Sequence, residues 1–320
     1  MAFNRGLDED FIKLLRAEAH KLGWWQEVLQ DSTLLIGVRE NYLSVYWQGQ
    51  ALVTAKPDEG TLAVTTHEKF LLDPDLEGKV WLVDGKFDVT KLQTRGFMSE
   101  FETGKTLTKM KRAAAYFAGG EKKGCHVIAE KNSTVVDFEV AFPVDAVGGK
   151  PSRVDLACFE ERENSVCLTF WEAKHFSNVG LRAKAGAAPV VKQIENYTAW
   201  IAAHGAELKQ SYEKVARNLS AFTEMGWNRK LHSSIQAVAD GSKPLSLDGA
   251  SPVGLLVFGF DQDQKDGPIW KQHRANLKGQ ISRIVPAGKA AGIRLPTHAS
   301  VTLTESPVTE LPAELVDDAG

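Results

Sequence analysis

The sequence predicts a mixed α/β (α+β) fold with the order helix, three strands, helix, strand, preceded by a β-rich N-terminal region. Short segments rich in β-branched and aromatic residues, separated by turn-forming residues, fill the stretch from residue 33 to residue 57. Three similar segments follow one another between residues 134 and 176. A long helical stretch then leads to PVGLLVFGFD, a short apolar run typical of a strand buried on both faces.

The composition is that of a globular protein with one large domain or two smaller ones. The chain has 320 residues, of which 25% are charged and 43% hydrophobic, and its net charge is −3. No apolar run reaches the roughly 18 residues of a membrane span, and MAFNRGLDEDF lacks the apolar segment of a signal peptide. We therefore expect a cytoplasmic protein with no membrane partner. Three unevenly spaced cysteines predict free thiols.

Residues 1–100 are predicted to form an N-terminal helix and a β-rich region. In DEDFIKLLRAEAHKLGWWQEVL, an acidic first turn precedes apolar residues at helical spacing, namely Phe11, Leu14, Leu15, Ala19 and Leu22. TLLIGVRENYLSVYWQGQALVTAKP then indicates strands separated by the turns RENY and QGQ, and GTLAVTTHEKFLL and KVWLVDG continue this character. The tryptophans of this region, Trp24, Trp25 and Trp47, are predicted to pack rather than to stack on bases.

Residues 101–285 are predicted to form the main α/β core. TLTKMKRAAAYFAGG indicates a helix that ends at Gly119 and Gly120. The three strands are TVVDFEVAFPV, RVDLACFEE and VCLTFWEAKHF, and a helical stretch from about 189 to 225 is broken near His204. Residues 286–320 are predicted to be a C-terminal tail, because LTESPVTELPAELVDDAG is acidic and contains proline.

Three charged residues lie inside strands that otherwise look buried. Glu172 and Lys174 are two residues apart and therefore point to the same face of their strand. If the preceding strand pairs with it through the polar turn EERENS, Asp155 lies near Glu172. Buried charges are generally paired or bind a metal ion, and both alternatives are open. Two carboxylates would suit Mg²⁺, which takes its remaining ligands from water and phosphate oxygens.

This pattern resembles the PD-(D/E)xK nuclease superfamily. The resemblance is carried by RVDLA, FWEAK and QIENY, with Val154 in place of the proline of the name, and QIENY looks like the helix motif of the RecB-like branch. It covers about half of the chain and implies a restriction-endonuclease-like core. It also implies an Mg²⁺- or Mn²⁺-dependent phosphodiester hydrolase with Asp155 and Glu172 as metal ligands, Lys174 as the catalytic lysine, and Gln193 and Tyr197 as auxiliary catalytic residues.

Some members of that superfamily use a further acid from the first core helix or the first strand. The predicted first helix contains no acid, so Glu139, Glu100 and Glu102 are the candidates for this third ligand. Glu139 lies within a predicted strand and is preferred. For Gln193 and Tyr197, which are i, i+4 neighbours on one helix face, a packing role is the alternative.

Basic residues are concentrated between Lys105 and Lys123. The segment holds six of them with the single acid Glu121, and Lys105, Lys109, Lys111 and Arg112 are predicted to contact the phosphate backbone of DNA. A solvated helix face is the alternative for this segment.

The prediction for function is a metal-dependent nuclease that acts on DNA. The alternative is a non-catalytic nucleic-acid-binding or interaction module with a degenerate nuclease fold. DNA or RNA, endo- or exonucleolytic action, a homo-oligomer or protein partner, and a pathway in repair, restriction or phage defence all stay open.

Overall fold

The computed structural model describes residues 3–75, 82–83, 85–87, 96–143, 152–183, 186–249, 251–286, 289–290 and 293–297. The described helices are α1 Glu9–Ala19, α2 Trp24–Gln30, α3 Thr106–Ala115, α4 Gly120–Lys131, α5 Pro189–Ala203, α6 Gly205–Glu224, α7 Ser233–Ala239, α8 Gln262–Asp266 and α9 Pro268–Lys278. The described strands are β1 Leu35–Val38, β2 Leu43–Trp47, β3 Gln50–Asp58, β4 Thr61–Thr65, β5 Leu82–Val83, β6 Lys86–Phe87, β7 Val135–Phe142, β8 Ser152–Glu161, β9 Val166–His175, β10 Leu245–Leu247, β11 Val253–Phe258 and β12 Ile284–Pro286. The fold is therefore mixed α/β, as predicted.

The N-terminal region contains an antiparallel sheet in the order β1-β2-β3-β4. Helix α1 covers it with Phe11 and Leu15, which are fully buried, as the apolar spacing predicts. The expectation for Leu22 was wrong: α1 ends at Ala19, and Leu22 lies in the break before α2 with 81% of its surface exposed. Trp25 is fully buried, and the other two tryptophans of this region pack against the same core, so the packing prediction is confirmed.

The larger sheet has the order β12-β11-β9-β8-β7, and β10 pairs with the start of β9. Strands β7, β8 and β9 form an antiparallel meander, whereas β11 is parallel to β9 and β12 is parallel to β11. The parallel connection from β9 to β11 runs through α5, α6, α7 and β10, and parallel strands require such a long crossover. In chain order, α4, β7, β8, β9, α5–α6 and β11 give helix, three strands, helix, strand, with α7 and β10 inserted before β11.

Helices pack on both faces of this sheet. On one face, α4 contributes Ile128 to a buried cluster with Leu156 and Trp171. On the other face, Tyr197 of α5 and Tyr212 of α6 belong to a second cluster that includes the strand residues Phe142 and Phe170, with ring centroids 5.8–6.0 Å apart. The second cluster continues into the N-terminal region, so residues of both predicted regions share a core.

One helix was assigned to the wrong place in the sequence. The segment that precedes β7 is α4, whereas the predicted helix corresponds to α3 and ends at Ala115. Gly119 and Gly120 do not end a helix together, because Gly119 is the N-cap of α4. Helix α4 is hard to predict because it begins with the polar and glycine-rich sequence GEKKG. Its buried face consists of Gly124, Cys125, His126, Ile128 and Ala129.

The remaining expectations concern cysteines, membrane spans and the tail. Cys125, Cys158 and Cys167 are free and buried, as predicted. No helix in the described part of the chain has the length and apolar character needed to cross a bilayer. The predicted acidic tail and most of KVWLVDG lie outside the described residues.

Candidate active site

The site lies where β8 and β9 leave their shared hydrogen-bond ladder. The register pairs Leu156 with Trp171, so Asp155 lies beside Glu172, as the sequence predicts. An Oδ2 atom of Asp155 accepts a hydrogen bond of 2.7 Å from the backbone amide of Ala173. The carboxylate of Asp155 on β8 thus binds a backbone amide of β9, and this hydrogen bond holds Asp155 next to Glu172.

Glu172 is the centre of the arrangement and is only 1% exposed. Its Oε1 atom lies 2.5 Å from Nζ of Lys174 and accepts a hydrogen bond of 2.8 Å from Nε2 of Gln193. Among the described residues, its Oε2 atom is buried without a hydrogen-bond partner. One oxygen of a buried carboxylate is therefore fully engaged, and the other is left for a further ligand.

Gln193 and Tyr197 reach the site from α5. Nε2 of Gln193 also donates to the hydroxyl of Tyr197 at 2.6 Å, and that hydroxyl donates to the carbonyl of Arg153 at 2.5 Å. Burial and the negative charge of Glu172 raise the pKa of Tyr197, so the phenol stays protonated and continues to donate. Gln193 contacts Glu172 directly, whereas Tyr197 is 2% exposed, belongs to the core and orients Gln193.

The electrostatics of the site are dominated by desolvated charges of like sign. Desolvation and the neighbouring Glu172 raise the pKa of Asp155 well above its ordinary value, and Glu139 adds to this effect. Desolvation also raises the pKa of Glu172, although Lys174 opposes the shift. Burial lowers the pKa of Lys174, but the attraction of Glu172 and Asp155 outweighs it, and the net shift is upward. Two carboxylates therefore share one ammonium group in a poorly hydrated place.

Glu121 is a fourth charged residue of the site, and it is not among the site residues predicted from the sequence. It lies in the first turn of α4, with Oε1 3.8 Å from Nζ of Lys174. Its Oε2 atom accepts hydrogen bonds from the amide of His175 at 3.2 Å and from Nδ2 of Asn178 at 2.7 Å. The sequence does contain a signal for it, because Glu121 is an acid at the start of the helix that precedes β7, but the prediction places the first core helix at α3, which contains no acid.

The predicted third ligands are placed differently. Glu139 adopts a positive φ of 52° within β7, between Phe138 and Val140, which pair with β8, and its Oε2 atom lies 2.7 Å from Nη1 of Arg153. It is close enough to act on Asp155 electrostatically. Glu102 pairs with Lys105 instead, and Glu100 provides a backbone carbonyl to Thr106 near the start of α3. The structure does not bring these last two acids to the site.

A divalent cation fits Asp155 and Glu172 on chemical grounds. No group of three or more His, Cys, Asp or Glu side chains in the described ranges is arranged to hold a metal ion. Mg²⁺ does not require one, because it usually binds one or two carboxylates and keeps several waters or phosphate oxygens. The unpartnered oxygen of Glu172 and the like charge of Asp155 beside it are what such a cation would neutralise.

The basic segment is heavily ion-paired. Lys105 pairs with Glu102 at 2.8 Å, Lys109 with Asp73 at 2.8 Å, Lys111 with Asp31 at 2.7 Å, and Arg112 with Asp75. Their contact with DNA stays a prediction, and each would have to exchange a carboxylate for a phosphate. Lys122 and Lys123, which follow Glu121, are exposed and have no ion pair within the described part of the chain.

Comparisons of the chain with family models, with curated proteins and with solved structures found no match.

Proposed function

We propose that this chain is a metal-dependent nuclease that hydrolyses phosphodiester bonds in DNA and belongs to the PD-(D/E)xK superfamily. The observation that carries the proposal is the contact set of Glu172, whose Oε1 atom binds both Lys174 and Gln193 while Asp155 lies beside it. The order α4, β7, β8, β9, α5–α6, β11 supports a restriction-endonuclease-like core.

Asp155 and Glu172 would hold Mg²⁺ or Mn²⁺ in this proposal. The ion would supply charge stabilisation at the phosphoryl oxygens and would make a water molecule more acidic. Glu121 is the additional acid on the first core helix, and it replaces Glu100 and Glu102 as a candidate. Glu139 remains a candidate that acts from its position next to Arg153.

Lys174 provides the positive charge of the site. Its ammonium group lies between Glu172 and Glu121, at 2.5 Å and 3.8 Å, so its position is determined from two sides. A fixed cation in a poorly hydrated site stabilises the charge that develops on a phosphate, and its N–H groups can orient a water molecule. Gln193 fixes the rotamer of Glu172, and Tyr197 fixes Gln193.

The alternative function is a non-catalytic module in which the same charges only stabilise the fold. The short ion pair between Glu172 and Lys174 is compatible with this alternative, because a purely structural ion pair would have the same geometry. The orphaned Oε2 atom of Glu172 argues against it, because an unpartnered oxygen of a buried carboxylate lowers stability without any structural benefit.

Cleavage of supercoiled plasmid DNA tests the proposal. We expect nicking with Mg²⁺ or Mn²⁺, none with EDTA, and none from Asp155→Asn, Glu172→Gln or Lys174→Ala. The matched control is Lys192→Ala, which removes an exposed lysine of α5 that pairs with Glu195 at 3.4 Å, outside the site. Full activity of a folded Glu172→Gln protein, as judged by thermal melting, would exclude the nuclease proposal.

A further inference from the structure

A cavity of about 300 Å³ lies beside the candidate active site and takes no part in the contacts described so far. Its lining is mostly apolar and aromatic, with three polar side chains, those of Arg182, Gln264 and His273. The residues that matter are Phe176, Leu181, Arg182, Ile269, Trp270 and His273. This volume is at the lower end of the range for ligand sites, so it suits one flat group rather than a long ligand.

One short segment of chain, from Lys174 to Arg182, contributes residues to both the site and the cavity. Phe176 comes two residues after Lys174, and its amide donates to the carbonyl of Phe258 at 2.7 Å. Asn178 links the two places: its Nδ2 atom donates to Glu121, and its Oδ1 atom accepts from the amide of Gly180 at 2.8 Å. This second bond caps the 3₁₀ turn Val179–Leu181, which leads into Arg182 at the cavity. Lys174 and two lining residues of the cavity, Phe176 and Arg182, therefore lie within eight positions of one another along the chain.

The aromatic wall of the cavity is held in place by contacts between tilted rings. Phe176 contacts Phe260 with ring centroids 5.1 Å apart, and Phe260 contacts Trp270 at 4.8 Å. Ile269 at the rim keeps 72% of its surface exposed. Arg182 is exposed, and no ion pair is recorded for it within the described ranges. Aromatic rings with a nearby guanidinium group are what unpaired nucleic-acid bases stack on.

We propose that this cavity receives one unpaired base of the nucleic-acid strand whose phosphodiester lies at Glu172 and Lys174. The inference rests on the proposed nuclease function and specifies its substrate. A base that remains paired and stacked in a duplex cannot enter a cavity, so the preferred substrate is single-stranded or locally opened DNA. Arg182 then stacks on this base.

The test is the binding of short, labelled single-stranded DNA in Ca²⁺, with one abasic position moved along the strand. We expect the wild-type protein to bind about five-fold or more weakly when the abasic position falls at one or two adjacent places, because base–aromatic stacking contributes about 1 kcal/mol or more. In Phe176→Ala and in Arg182→Ala, this position dependence should be lost or strongly reduced. Tyr42→Ala, which removes a partly exposed aromatic of the N-terminal region, is the matched control and should keep it.

The outcomes separate this inference from the function on which it rests. Plasmid cleavage with a flat abasic profile would overturn the inference and leave the nuclease proposal intact. Absence of both cleavage and single-strand binding would overturn both. If Phe176→Ala melts at too low a temperature to be tested, Arg182→Ala alone tests the inference. The side chain of Arg182 is exposed, so its removal does not open the core. An unchanged profile in that variant would also overturn the inference.

Discussion

Gly124 of α4 lies against the ring of Phe258 so closely that a Cβ atom added to the glycine would stand 2.0 Å from Cε2 of the phenylalanine. No real Cβ contact is that short, so helix and strand approach each other at this distance only because position 124 has no side chain. The close approach also determines how far Glu121, one turn earlier on α4, extends towards Lys174.

Gly124→Ala is therefore expected to displace α4 and to impair the site. Overpacking of this kind typically lowers the free energy of unfolding by about 1–3 kcal/mol, which corresponds to a fall of several degrees in Tm. We expect plasmid cleavage to fall as well, because Glu121 moves with the helix. Gly120→Ala is the control, since a Cβ atom there has nothing within 4 Å. Equal Tm values for the two variants would contradict the packing argument.

Tyr197→Phe should reduce cleavage more than stability. It removes the hydroxyl that accepts from Gln193 and donates to Arg153, while the ring remains in the core. Loss of one such bond lowers the free energy of unfolding by about 1 kcal/mol. Gln193 also loses the contact that orients it towards Glu172, and this should affect cleavage. Turnover and thermal melting measured side by side for Tyr197→Phe and Gln193→Ala test this. Normal turnover with a lowered Tm in both variants would favour the packing alternative.

Divalent cations are expected to stabilise the wild-type protein and not its ligand variants. A cation that binds only the folded state raises stability by about 2.7 kcal/mol at 100 times its dissociation constant. We expect Mn²⁺ to raise the Tm of the wild-type chain and of Glu195→Gln, a surface control, but not that of Asp155→Asn or Glu172→Gln. A rise of the same size in Asp155→Asn would place the cation elsewhere.

In EDTA, Asp155→Asn should be as stable as the wild-type protein or more stable. The raised pKa of Asp155 means that its ionised form is disfavoured in the folded state, so removal of the charge relieves repulsion with Glu172. Asparagine keeps an oxygen that accepts from the amide of Ala173. A clear loss of stability in EDTA would indicate that Asp155 is a structural partner rather than a ligand.

The ion pairs of α3 predict how its basic residues respond to charge reversal. Lys109 and Arg112 are held by Asp73 and Asp75, so Lys109→Glu with Arg112→Glu should lower the Tm and leave the salt dependence of DNA binding unchanged. Lys122→Glu with Lys123→Glu is the matched pair, because these lysines lie beside Glu121 without ion pairs in the described ranges.

DNA binding over a salt series decides between the two lysine pairs. Each lost phosphate contact flattens the slope by roughly 0.9 on duplex DNA, and we expect this for the second pair. If Lys109→Glu with Arg112→Glu flattens the salt dependence of binding and leaves the Tm unchanged, the DNA contacts predicted for α3 from the sequence would be supported.

The sequence by itself determined those parts of the protein that depend on local pattern. Strands β7, β8, β9 and β11 follow from their apolar runs and turn residues, and the break between α5 and α6 follows from His204 and Gly205. The two-residue spacing of Glu172 and Lys174 and the turn before them were enough to predict that Asp155 lies next to Glu172. Periodicity and strand register are local properties, and they can be counted along the chain.

Only the tertiary structure decided which residues from distant segments meet. Glu121 reaches Lys174 because Gly124 allows α4 to approach Phe258, a contact that no spacing in the sequence encodes. The same applies to Lys109, whose partner Asp73 lies 36 residues away. The role of a charged segment or of a polar helix start depends on the residues that pack against it. Those residues come from distant parts of the chain, so a local sequence pattern cannot identify them.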